Sequence, residues 1–248
     1  MSAVDVALIC APGSLPPPLP AVAAPRPLNI RATVSWTLAA LTAAVVVTVL
    51  IFIPFATHEQ LSDVEVNNLS TVGLTLGCLP LIGILAFACR RWGWRVSEYL
   101  ALTRPRGRYV WLALGGFALA FAASATLSLF GSLADDPDTS MNGLVATLFG
   151  AMILAPIWEE LIFRGFLYRG LAASRLGTAG TIVLTALIWA SLHFDKTWLG
   201  FTDIFVAGLV LGWLRWRTGS TYVTIAVHAM QNAIAGAAIT AIALGWAT

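Results

Sequence analysis

Two adjacent glutamates, Glu159 and Glu160, and an arginine, Arg164, sit inside an apolar stretch, LAPIWEELIFRGFLYR, that runs from Leu154 to Arg169. Ionised groups within an apolar segment are costly and usually mark a working site. On a helix, Glu160 and Arg164 are i and i+4. They share a face, with the acid N-terminal to the base, the favourable order for an ion pair. Glu159 points roughly 100° away round the helix and lacks that partner. The spacing therefore predicts two different carboxylates: a paired, structural Glu160 and a free Glu159. A desolvated carboxylate beside a second negative charge is tuned toward general-base work near neutral pH. The competing reading ends the helix at the membrane interface, with Arg164 snorkelling to water.

Histidine is rare, and two of the three fall in apolar segments: His193 in WASLHF and His228 in IAVHAMQN. Trp189 and His193 are i and i+4, as are His228 and Asn232, so each pair shares a helix face. A histidine and an amide presented together can donate two hydrogen bonds to one oxygen, which is what an oxyanion hole requires. For either histidine alone, an ordinary helix–helix hydrogen bond is the simpler account. Polar groups on three separate apolar segments change that weighing, because burying them without mutual contact is expensive. The other polar residues say less. Asp203 reads as an interfacial charge and His58 as a solvated one. Tyr168 and Arg169 read as interfacial continuations of the glutamate helix.

The scaffold that must bring these residues together reads as a membrane bundle. The chain has 248 residues, of which 58% are hydrophobic and 10% charged, against about a quarter charged in soluble domains. A net charge of +2 argues against a nucleic-acid partner. Cys10, Cys78 and Cys89 have neither disulfide-like nor CxxC spacing. A span needs about 20 mostly apolar residues, and seven stretches qualify or nearly do: 34–55, 69–89, 109–130, 143–166, 179–194, 201–216 and 222–246. Arginines alternate with acidic loops at each crossing, which predicts an all-α bundle of about seven spans with a cytoplasmic N-terminus. Residues 1–31, rich in Pro and Ala, read as a flexible tail. Residues 32–248 read as the transmembrane domain. Linear depth leaves a tension: Glu159 and His228 fall toward the cytoplasmic side, and His193 toward the outer end of its span.

EELIFRG resembles the EExxxR motif of the CPBP family, which groups type II CAAX prenyl endopeptidases with bacteriocin-processing and self-immunity proteins. WASLH is similar to the family's FxxxH, with Trp189 in place of Phe, and His228 to Asn232 match its HxxxN. The resemblance covers about residues 150–235, within a catalytic core of about 143–246. It implies an intramembrane endopeptidase in which Glu159, with His193, activates water. His228 and Asn232 would then stabilise the oxyanion, with Glu160, Arg164 and Trp189 in support. Family members are often called metalloproteases, and Glu159, His193 and His228 would make a plausible zinc set. No HExxH helix is present, and a metal-free, glutamate-activated water fits the same residues.

The resulting expectation is a peptidase acting on a membrane-associated peptide or protein in a lipid bilayer, lipidated or not. Scarce lysine with abundant Ala, Arg and Trp suggests a GC-rich bacterial genome and a bacterial plasma membrane, and hence peptide maturation or self-immunity rather than CAAX processing. Two alternatives use the same residues: a proton-coupled transporter with Glu159, His193 and His228 as relay, and a non-catalytic immunity or scaffold protein.

Overall fold

The structure, a computed structural model, describes residues 25–55, 63–130, 150, 152–193 and 196–244. The helices are α1 (Ile30–Phe52), α2 (Asp63–Arg91), the short α3 (Val96–Tyr99), α4 (Arg108–Ser128), α5 (Ala155–Glu160), α6 (Tyr168–Ala172), α7 (Gly177–Ser191), α8 (Trp198–Thr218) and α9 (Thr221–Ala243). A π-helical segment, Leu161–Leu167, joins α5 to α6. No strand occurs among the described residues.

Among the described residues, three helical stretches are long and apolar enough to cross a membrane: Ile30–Phe55, Arg108–Ser128 and Trp198–Thr218. Leu38, Val45, Val49 and Leu50 on α1, and Trp111 and Leu119 on α4, turn outward. Apolar side chains so distributed suit lipid rather than water. The other expected spans fall on helices of different character. α2 contains Pro80, and α7 has only 15 residues. The segment 143–149, where the fourth span was expected to begin, lies outside the described residues.

Small residues set the helix spacing. A Cβ on Gly77 of α2 would approach the Ala44 carbonyl of α1 to 3.1 Å. One on Gly208 of α8 would meet the Ala186 Cβ of α7 at 2.8 Å. Membrane helices have little hydrophobic drive to associate, so close backbone approach through such small residues supplies the packing.

The arginine-bearing ends of the bundle are tied together. Thr221, at the start of α9, donates its backbone N–H to the Ala101 carbonyl (2.9 Å) and its hydroxyl to the Leu100 carbonyl (2.6 Å). Ser220 donates to the Thr103 carbonyl at 2.6 Å. Packing also reaches into residues assigned above to the tail. Leu28 is buried, the Trp94 indole donates to the Arg26 carbonyl (3.1 Å), and Asn29 caps α1 through Ala32 N–H. Residues 26–29 are therefore packed onto the bundle.

Candidate active site

The glutamates close α5, and the backbone then widens into the π-helical turn over Leu161–Leu167. Such π segments are uncommon and frequently occur at functional sites. Here all seven residues are buried, Arg164 among them. The carbonyl of Arg164 accepts from Arg215 Nε of α8 at 2.8 Å, and the Arg215 guanidinium covers the Tyr168 ring at 4.9 Å. Arg215, near the end of the stretch 201–216, is buried and braces the π segment. Arg169 lies over the Trp94 and Tyr99 rings. Burial pushes the Tyr99 phenol, on α3 between spans, up to about 12, so it stays neutral beneath that arginine.

Glu160 and Arg164 form the ion pair that the spacing predicts. Arg164 Nη1 lies 2.6 Å from Glu160 Oε1, with both side chains at most 1% exposed. The pairing is therefore internal, and Arg164 does not snorkel to an interface. Arg164 Nη2 also donates to the Gly208 carbonyl at 3.2 Å, and its guanidinium stacks 4.6 Å from the Trp189 ring. A buried pair must satisfy its remaining hydrogen-bonding groups to offset desolvation. The Gly208 contact is possible because α8 lacks a side chain there.

Glu159 is buried but not free. Its Oε2 accepts a hydrogen bond from Trp189 Nε1 at 2.5 Å. Trp189 in place of the family's phenylalanine therefore adds a donor to the carboxylate and changes more than pocket shape. The same indole meets the His193 ring edge-on at 5.5 Å between centroids and the His228 ring at 5.1 Å. One side chain thus contacts Glu159, Arg164, His193 and His228. The short α7 ends at Ser191, and this brings His193 to the same indole as Glu159, against the linear depth reading.

The histidine partners define their protonation. His193 Nδ1 lies 2.9 Å from the Trp189 carbonyl, which can only accept, so Nδ1 carries the proton. His228 Nδ1 lies 3.1 Å from Glu160 Oε1, the oxygen that also binds Arg164, and donates to it. In the neutral ring each Nε2 then offers a lone pair. Asn232 follows His228 by one turn of α9 and is half-buried. Glu160 Oε2 and Trp158 Nε1 are buried without a hydrogen-bond partner among the described residues. Such groups call for a specific explanation, and a polar substrate or water beside Glu159 provides one.

An apolar groove of about 250 Å³ runs between α1 and α2 and reaches Trp158. Cys78 lines it. Among the described residues no three His, Cys, Asp or Glu side chains gather as metal ligands. Asp203 is half-buried and accepts from Ser124 of α4 at 2.5 Å, a helix–helix tie rather than a bare interfacial charge.

Comparison with known proteins gives a concordant result. The family described as Rce1-like, type II CAAX prenyl endopeptidase, matches residues 141–234, which hold all three motifs. An Escherichia coli protein described only as an uncharacterized 24.3 kDa protein is 28% identical over 123 residues, which are 48% of this chain and 54% of that protein. The chain thus spans about half the length of the curated relative it matches. No solved structure matches.

Proposed function

On the match of residues 141–234 to the Rce1-like family, we propose that the chain is an intramembrane endopeptidase in which Glu159 is the general base. The observation that carries this reading is the convergence of Glu159, Arg164, His193 and His228 on one indole, Trp189.

The chemistry follows from the groups present. A water proton passes to Glu159 as the water oxygen adds to the scissile carbonyl carbon. His193 Nε2 accepts the water's other hydrogen as a hydrogen bond and orients the attack. The carbonyl π pair becomes an oxyanion, to which Asn232 donates through its amide. His228 can donate from Nε2 only as an imidazolium, whose charge Glu160 Oε1 offsets. Collapse of the intermediate breaks the C–N bond, and the proton held by Glu159 goes to the leaving nitrogen. Each such donor to an oxyanion is worth roughly 10²–10³ in rate.

The substrate we assign is a membrane-associated peptide or protein whose apolar portion lies in the α1–α2 groove. That groove is lined by Leu41, Val45, Cys78 and Leu81 and reaches Trp158, the neighbour of Glu159 in sequence. The setting we assign is a bacterial plasma membrane, with peptide maturation or self-immunity as the role. The deciding experiment uses the purified full chain in detergent with lipidated and unlipidated peptides, comparing wild type with Glu159→Gln. Cleavage that vanishes in the variant supports the assignment, and cleavage at the wild-type rate overturns it. A chelator titration of the same assay decides whether zinc takes part.

A further inference from the structure

A cavity of about 700 Å³ lies at the arginine-rich end of the bundle, between the segment that precedes α1 and the turn that follows α6. Three arginines line it: Arg26 and Arg31 from one end of the chain, and Arg175 from beyond the glutamate helix. All three are exposed. Among the described residues no Asp or Glu lines the cavity. Among the described residues no ion pair neutralises any of the three, the surface pair at this end being Arg95 with Glu98.

The two walls are held in register. Leu28, between Arg26 and Arg31, is 1% exposed, and the Trp94 indole fixes the Arg26 carbonyl. Opposite, Gly170 packs so tightly on α1 that a Cβ there would fall 2.0 Å from Thr33 Oγ1. Arg26 and Arg31 are thereby set across the same opening from Arg175 by packing, not by chance approach of mobile side chains.

Guanidinium groups match phosphate oxygens in shape and charge. The cavity sits at the end of α1, a helix long enough to span, and so at the depth of lipid headgroups. Exposed Ile30 and Leu176 flank it and give acyl chains an apolar edge. We infer that this cavity binds the phosphate of an anionic lipid headgroup. Basic pockets at the ends of membrane helices bind such headgroups, and each arginine near the surface adds about fivefold to affinity. The inference is independent of the proposed peptidase chemistry.

The test is binding to the purified full chain in neutral detergent. The probes are short-chain phosphatidylglycerol, short-chain phosphatidylcholine and inorganic phosphate. Phosphatidylglycerol should bind, phosphatidylcholine should not, and inorganic phosphate should bind far more weakly. Arg26→Gln, Arg31→Gln and Arg175→Gln should each weaken phosphatidylglycerol about fivefold, while Arg175→Lys loses less. Arg104→Gln and Arg106→Gln, exposed at the same end, should change nothing. Three results overturn the inference: no binding of phosphatidylglycerol, equal loss in the Arg104 and Arg106 variants, or inorganic phosphate binding as tightly as the lipid. Single substitutions at exposed positions keep the fold, and a melting curve of each variant verifies it.

Discussion

Trp189 Nε1 lies 2.5 Å from Glu159 Oε2, joining α7 to the last turn of α5 through a donor that phenylalanine does not have. A hydrogen bond to a charged group is worth roughly 1.5–3 kcal/mol, and each ~1.4 kcal/mol in a barrier is tenfold in rate. The indole holds one carboxylate oxygen, and in the proposed mechanism the carboxylate takes the proton of the attacking water. Trp189→Phe keeps an aromatic ring beside Arg164, His193 and His228 but removes the N–H together with part of the indole. It should lower kcat by about tenfold or more with KM nearly unchanged. An unaltered kcat would show that the hydrogen bond does no positioning.

The Glu160–Arg164 pair should govern stability rather than turnover alone. Removing one partner of a buried ion pair leaves an uncompensated charge and costs about 3–5 kcal/mol. Glu160→Ala and Arg164→Ala should therefore each lower the melting temperature in detergent by on the order of 10 °C. The double variant Glu160→Gln with Arg164→Met removes both charges and should recover much of that loss. If the double variant melts no higher than the single ones, the pair is not the source of the effect.

The helix pairing of Glu160 with Arg164 was legible because i and i+4 spacing is local and survives the change from α to π geometry at Leu161. The π segment itself was not. Its residues, LIFRGFL, have no Gly–Pro signature, and the side chain that braces it, Arg215, reaches across from α8. Arg215 left only a faint trace, an arginine flanked by apolar residues in LGWLRW. The bond from Trp189 to Glu159 joins residues 30 apart in sequence, so helical spacing could not reveal it. The His193 depth problem arose from treating segment 179–194 as a full crossing. The helix stops at Ser191, and His193 turns back onto the Trp189 carbonyl.

The groove between α1 and α2 supplies a test of substrate access. Cys78 lines it together with Trp158, the neighbour of Glu159 in sequence, and a larger side chain there would occupy its volume of about 250 Å³. Cys78→Phe should cut kcat/KM severalfold for peptides bearing a long apolar chain and leave short soluble peptides little affected. Equal loss on both substrates would mean that the substitution disturbs Glu159 instead of blocking the groove.

Gly208 connects packing to the site. Its carbonyl receives Arg164 Nη2 at 3.2 Å, and its missing side chain lets α8 approach α7 at Ala186 and Trp189. A Cβ would lie 2.8 Å from the Ala186 Cβ and 3.0 Å from its Cα, which is backbone and cannot swing aside. Gly208→Val must therefore push the helices apart, at a typical overpacking cost of about 1–3 kcal/mol. The same shift draws the carbonyl from Arg164 and moves Trp189 relative to Glu159. Both stability and kcat should fall, by several degrees and about tenfold respectively. Gly208→Ala should show the same pattern at smaller amplitude. Ala186→Gly, which opens space opposite, should partly rescue Gly208→Ala when the double variant is compared with the singles by melting temperature and turnover. Without any rescue, helix separation is not the route by which position 208 acts.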